Sequence, residues 1–334
     1  DLRIVHTGQH YDHKMSDIFL KQFGIEVDYF LNLTNKSANS LIGEVILKLE
    51  NVINEFKPDL LLSVGDVNST LAASICANKL HIKLGHIESG LRSLDREMPE
   101  EINRIITDEL SDICFITERS GIQNLKDIGK TEGQLAFVGN TMIDTLIHFN
   151  EDIENSNIIE ELKLKKKNYI LVTMHRPSNV DEKSSALKIV ELLEDLTIKR
   201  KVVFPMHPRT KNSLVKFNLF DALNEMDNLK IIDPQSYFAF QKLVKDSFCV
   251  ITDSGGIQEE TTFRQIPCIT LRENTERPST ILEGTNVLMS FENDKILAVM
   301  NSIESGTFKK GTIPELWDGR ATDRIIEKCI NFIA

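Results

Sequence analysis

The segment Val250 to Glu260 joins an apolar run to a helix-like one through a small polar turn, Asp253-Ser254-Gly255-Gly256. The backbone N–H groups of Ser254, Gly255 and Gly256 would stand unpaired at the helix N-terminus. There the helix dipole favours an anion, and glycine lets it come close. Glu259 and Glu260 lie a turn further on, where one of them can accept from both hydroxyls of a ribose. The plainer alternative is that Ser254 only caps the helix and the glutamates complement its dipole. Two more clusters, Thr173-Met174-His175-Arg176-Pro177 and Met206-His207-Pro208-Arg209-Thr210, place a histidine and an arginine after an apolar run. Arginine suits bidentate contact with phosphate and a neighbouring histidine can donate to the same anion. Arg277, in Arg272 to Pro278, is a fourth cationic candidate.

Carboxylates dominate the first half. Gly65-Asp66 and His86-Ile87-Glu88-Ser89-Gly90-Leu91-Arg92 each end an apolar run, and Pro99-Glu100-Glu101 opens a helix with proline in its first turn. Asp66, Glu88 and Glu100 are expected to converge, and like charges raise the pKa of at least one of them, giving an acid and a base near neutral pH. Glu101 is better explained by the helix dipole. His6, His10 and His13 match no zinc spacing, so no metal and no cofactor is expected.

These groups need a frame that brings strand ends together. Short apolar runs alternate with segments of helical period, the pattern of parallel sheets covered on both faces. Strands are expected at Leu2 to His6, Leu60 to Val64, Lys83 to Ile87, Ile113 to Thr117 and Leu135 to Val138, and again from Tyr169 onward. The charged stretch Glu151 to Asn168 reads as a linker. The fold class is α/β: two facing Rossmann-like doubly wound domains, residues 1–150 and 169–334, the second ending in a terminal helix, with a ligand cleft between them.

The chain has 334 residues, 41% of them hydrophobic, enough for two cores, and no apolar run that could span a bilayer. A formal net charge of -11 without a basic stripe argues against nucleic acid as a partner. Five scattered cysteines with no C-x-x-C pair fit a reducing cytoplasm. The chain opens on Asp1, in a strand already under way, and no signal peptide is evident.

Nine segments, in order, resemble the UDP-N-acetylglucosamine 2-epimerase family. They are Thr7 to Asp12, Gly65-Asp66, His86 to Arg92, Pro99 to Arg104, Val138 to Thr141, His175-Arg176, His207 to Arg209, Asp253 to Glu260 and Thr275 to Pro278. The resemblance implies the glycosyltransferase-B arrangement and a reaction in which a base removes the C2 proton of the sugar while UDP leaves from C1 and then re-adds. By position, Asp66, Glu88 and Glu100 match the family's catalytic carboxylates and His175 its catalytic histidine. Ser254, Gly255, Gly256, Glu260 and Arg277 match its UDP contacts. Gln9 and His10 match part of a segment through which some members bind a second UDP-sugar as activator. The family's first strand and its Gly-Thr-Arg-Pro-Glu loop have no counterpart and are expected to be missing here. The Pro99 to Arg104 block is similar to the non-hydrolysing branch, whose product would be UDP-N-acetylmannosamine for surface polysaccharide. The alternatives are another UDP-2-acetamido sugar such as a diacetamido uronate, a hydrolysing enzyme releasing N-acetylmannosamine, a transferase of the same fold, or a nucleotide-sugar sensor. A cytoplasmic homodimer is the expected assembly.

Overall fold

The computed structural model describes residues 1–9, 19–34 and 37–334. The chain divides into two compact units, one of residues 1–141 with 318–334, the other of residues 142–317.

In the first unit, β3 (Leu60–Val64), β4 (Lys83–Ser89), β5 (Ile113–Ile116) and β6 (Leu135–Phe137) form a parallel sheet in that order. Among the described residues β1 (Val5–His6) pairs only with β2 (Tyr29–Phe30), a strand with no signature in the sequence beyond its two aromatic residues. The sequence also favours a helix near His13 to Phe23, a segment that lies largely outside the described residues. Leu41, Val45, Leu49 and Ile53 recur along one face of the Ala38–Phe56 helix and bury against Ala72 and Cys76.

The terminal helix, Ala321–Ile333, belongs to this unit and not to the second, where chain continuity had placed it. Its Ile325 completes a cluster with Ile113, Phe115, Ala136 and Val138, and Arg324 donates to the Val138 carbonyl at 3.0 Å.

The second unit holds a six-stranded parallel sheet in the order β12-β11-β10-β7-β8-β9. Its strands are β7 (Tyr169–Thr173), β8 (Lys201–Pro205), β9 (Leu229–Ile232), β10 (Cys249–Thr252), β11 (Cys268–Leu271) and β12 (Asn286–Met289). Both faces are covered, and the period of two is visible in the burial. Ile170 and Val172 join one core while Tyr169 and Leu171 join the other. The order runs outward from β7 to β9 on one side and from β10 to β12 on the other. The connection therefore reverses between β7 and β10, the switch point at which doubly wound sheets bind ligands.

Residues 151–168, expected as a linker, fold into this unit. They form short helices at Asn150–Glu154 and Ile158–Glu161, with Ile153, Ile158 and Ile159 buried. Their charges line the outer face and mask the apolar residues beneath. No helix among the described residues is long and apolar enough to cross a membrane.

Candidate functional site

At the switch point of the second unit, Asp253 follows β10 with no exposed surface. Its carboxylate accepts from the backbone N–H of His175 at 2.9 Å and of Arg176 at 2.8 Å, and from Asn179 Nδ2 at 3.2 Å. His175 Nδ1 lies 3.1 Å from Asp253 Oδ1, which places its proton on Nδ1 and leaves Nε2 to a ligand on a side chain that is 42% exposed. Burial pushes the Asp253 carboxyl up, but His175 and the two backbone donors outweigh it and hold the group below the usual range. Asp253 thus fixes the turn after β7 to the turn after β10. Sequence reasoning gave it no role of its own.

Arg176 joins the same hub, its Nε donating to the Asp253 carbonyl at 3.0 Å. The His175 and His207 rings lie 5.4 Å apart. Burial, then His175 and Arg209, lower the His207 pKa, and its Nδ1 accepts from Arg209 N–H at 3.1 Å, capping the Pro208–Lys216 helix. Arg209, expected near the anion, instead makes a bidentate contact with Asp181 at 2.9 and 2.6 Å, on the exposed surface. A carboxylate within one arginine's reach captures it.

Ser254 occupies the N-cap position of the Gly255–Phe263 helix, but its side chain makes no capping bond and no acidic residue lies in the first turn. The capping alternative therefore fails for Ser254, whose own N–H donates to Thr252 Oγ1 at 3.0 Å, so the N–H groups of Gly255 and Gly256 are the ones left to form the nest. Gly255 is tightly enclosed: a Cβ there would stand 3.0 Å from both Arg277 Nη1 and Glu276 Oε1, which would have to give way. Arg277 is buried, with Nε 2.7 Å from Glu259 Oε2 and Nη1 against Glu276. The structure so brings Arg277 to the glycine turn and gives Glu259 to the arginine, not to the helix dipole.

Glu260 is the remaining carboxylate of the pair. It is buried, and its pKa is pushed up to about 7 by burial, against a lowering hydrogen bond from Gln241.

In the first unit, Asp66 follows β3 and Gly65. Its Oδ2 accepts from Arg104 Nε at 3.0 Å and Nη2 at 2.6 Å. Arg104 Nη1 reaches Glu101 Oε2 at 2.7 Å. Glu101 is 1% exposed and also accepts from Ser93 N–H and Oγ and from Leu94 N–H, at 2.9, 3.0 and 3.1 Å. Its role is to anchor the 93–94 turn, which is more than the dipole pairing expected of it. One guanidinium bridges Asp66 and Glu101, and Arg104 is the partner that sequence reasoning missed.

Glu100, the residue before Glu101 in the Pro99–Leu110 helix, is half-buried. Glu88 sits at a register shift in β4 with φ +69°, a left-handed conformation for a non-glycine residue of the kind stored at functional sites. An added Cβ on Gly65 would lie 3.4 Å from Glu88 Oε2, so the Glu88 carboxylate reaches the turn that carries Asp66.

Gln9 accepts from Ser69 N–H at 2.8 Å, which commits its carbonyl oxygen to the start of the Asn68–Lys79 helix. His10 lies outside the described residues. Among the described residues no three His, Cys, Asp or Glu side chains gather as metal ligands.

The sequence profile of the UDP-N-acetylglucosamine 2-epimerase family matches residues 1–329. A UDP-N-acetylglucosamine 2-epimerase homolog of Methanococcus maripaludis is 42% identical over 297 residues, 88% of this chain and 82% of that protein. The UDP-2,3-diacetamido-2,3-dideoxy-D-glucuronate 2-epimerase of Pseudomonas aeruginosa is 39% identical over 298 residues, 88% of this chain and 81% of that protein. Among solved structures, the Methanocaldococcus jannaschii UDP-GlcNAc 2-epimerase in complex with UDP-GlcNAc and UDP superposes with a TM-score of 0.88 at 36% identity, over 99% of this chain and 92% of that one. With a profile match along almost its whole length and relatives at this level of identity, the chain belongs to the UDP-N-acetylglucosamine 2-epimerase family.

Proposed function

We propose that the protein is a non-hydrolysing UDP-N-acetylglucosamine 2-epimerase that interconverts UDP-N-acetylglucosamine and UDP-N-acetylmannosamine. A base removes the C2 proton, the C1–O bond breaks with its electron pair going to UDP, and the C1–C2 double bond forms. UDP then re-adds at C1 as a proton returns to the other face of C2. The C2 proton is only weakly acidic, so departure of a well-stabilised diphosphate has to carry much of the driving force.

The observation that supports this most is the uncapped helix N-terminus behind Ser254, Gly255 and Gly256 at the sheet's switch point, with His175 held ready by Asp253. In this reading the second unit grips UDP through that nest, His175, Arg176, His207 and Arg277, with Glu260 on the ribose. The first unit supplies Asp66, Glu88 and Glu100 to the sugar. Arg209 is removed from the phosphate contacts by Asp181. The family resemblance extends the proposal to a cytoplasmic homodimer and to a second UDP-sugar acting as activator near Gln9 and His10.

In deuterated water, UDP-N-acetylglucosamine should gain deuterium at C2 while UDP stays attached, followed by NMR. Free N-acetylmannosamine would point to hydrolysis, and unchanged C2 protium would sink the reading. A second substrate belongs in the same assay. The identity to the diacetamido-glucuronate enzyme, 39%, is close to that to the homolog from Methanococcus maripaludis, 42%. Faster exchange on the diacetamido uronate would move the assignment there.

Gly255→Ala should weaken UDP roughly tenfold, about 1.4 kcal/mol, because the new methyl must displace the Arg277–Glu276 pair beside the phosphate nest. Calorimetric titration checks this. Unchanged affinity would mean that the diphosphate binds away from the turn.

A further inference from the structure

Beneath the Asp66 and Glu88 turns lies a buried charged cluster with no part in the chemistry above. His86, fully buried in β4, has Nδ1 2.7 Å from Asp108 Oδ1 and Nε2 2.8 Å from the Gly65 carbonyl oxygen. Asp108, near the end of the Pro99–Leu110 helix, uses its other oxygen to accept from Gly90 N–H at 3.1 Å and Arg92 Nη1 at 2.6 Å. Burial pushes the Asp108 carboxyl up, but His86 and Arg92 more than reverse this and keep it ionised. An ionised carboxylate and a carbonyl oxygen only accept, so both ring nitrogens of His86 donate.

Such a cluster is a poor source of net stability, because burying charges costs about as much as their attraction returns. Its contacts end at informative places. One is the residue before Asp66 and another is two residues after Glu88. Gly65, Glu88 and Gly90 all have positive φ, at +71°, +69° and +81°. A left-handed conformation is strained for a non-glycine residue, so the Glu88 turn needs an outside hold to keep its shape. Gly90 supplies part of it by approaching Gly121 so closely that an added Cβ would stand 2.6 Å from the Gly121 carbonyl oxygen. Asp108 grips the same residue from the other side, and through His86 it grips Gly65 as well.

We propose that His86 and Asp108 are positioning residues for epimerisation, a buried pair that ties the turns of Asp66 and Glu88 to one helix and fixes the spacing of the two carboxylates. The proposal rests on assigning those carboxylates to the sugar.

Two variants separate positioning from plain stability. His86→Gln keeps a donor toward Gly65 and gives up Asp108. His86→Asn keeps a donor toward Asp108 and gives up Gly65. In the deuterium-exchange assay, His86→Asn should lower kcat roughly a hundredfold, the scale of a small misplacement of catalytic groups. KM and the Kd for UDP should stay within about twofold, and His86→Gln should recover about tenfold of the loss. A His86→Asn enzyme with kcat within about threefold of wild type would overturn the proposal, as would equal losses in both variants or a parallel loss of UDP binding. If thermal melts show His86→Asn unfolded at the assay temperature, Asp108→Asn decides. It keeps the shape and leaves Gly90 N–H facing an amide, so a kcat loss at constant KM supports the pair and unchanged kcat overturns it. Wild-type protein that fails to exchange C2 would overturn the functional reading itself, and that is visible before any variant is assayed.

Discussion

Glu88→Gln should slow C2 exchange about a thousandfold, within the range that positioned acid–base groups contribute, while UDP affinity changes less than about twofold. A thousandfold is about 4 kcal/mol of lost transition-state stabilisation. The backbone is the reason to expect so clean a separation. Glu88 sits in a left-handed turn at a register shift, and glutamine preserves the side-chain length and leaves that turn intact. The nucleotide contacts proposed here all lie in the other unit, so removing one charge from this turn does not disturb them. NMR exchange and calorimetric titration check the two halves. Exchange within tenfold of wild type would remove Glu88 from proton transfer. A collapse of UDP affinity would mean that Glu88 supports the fold. Asp66→Asn is the less clean experiment, because Asp66 shares Arg104 with Glu101 and its loss leaves a buried guanidinium with one fewer acceptor.

What the sequence disclosed follows from geometry. In a doubly covered parallel sheet each strand is a continuous apolar run, so β7 and β10 stand out, and whatever follows them must lie at the carboxyl edge. That is why His175, the Ser254 turn, Asp66 and Glu88 were legible. Tyr29–Phe30 was not, because two residues make no run and the strand exists only through its pairing with Val5 and His6. The 151–168 segment misled for a similar reason: three buried isoleucines are outnumbered by charges on the outer face.

The site itself was legible as residue types, not as partnerships. Glu100 and Glu101 look alike in the sequence, yet adjacent positions on a helix point about 100° apart, and Glu101 is the one that is fully buried and bonded to Arg104. Arg209 looked like Arg176 until Asp181 took it. Asp108 reads as one more acid on an amphipathic helix, and nothing in its neighbours reveals that it faces His86 of β4.

Glu260→Gln should weaken UDP and stabilise the empty protein, and pH should separate the two effects. A carboxylate accepting from two ribose hydroxyls makes charge-assisted bonds of about 1.5–3 kcal/mol each, and glutamine keeps one acceptor, so loss of the other should lower UDP affinity about ten- to a hundredfold. 2′-Deoxy-UDP should lose less. The stability effect has the opposite sign. Burial carries the Glu260 carboxyl from its ordinary 4.5 to about 7, so between those values the folded state holds a proton that the unfolded chain has released. Its contribution is complete below pH 4.5, declines as pH rises through the window, and is gone above 7. By pH 8 the folded protein has given up about 3 kcal/mol that glutamine, which does not titrate, would not lose. The stability of the variant relative to wild type should therefore rise by about that amount from pH 4.5 to pH 8, measured by urea unfolding without nucleotide. A difference that stays flat across this range would show Glu260 ionised throughout, and it would then hold the ribose at no cost to the fold. A rising difference combined with unchanged UDP affinity would instead leave the buried proton real and remove Glu260 from the nucleotide site.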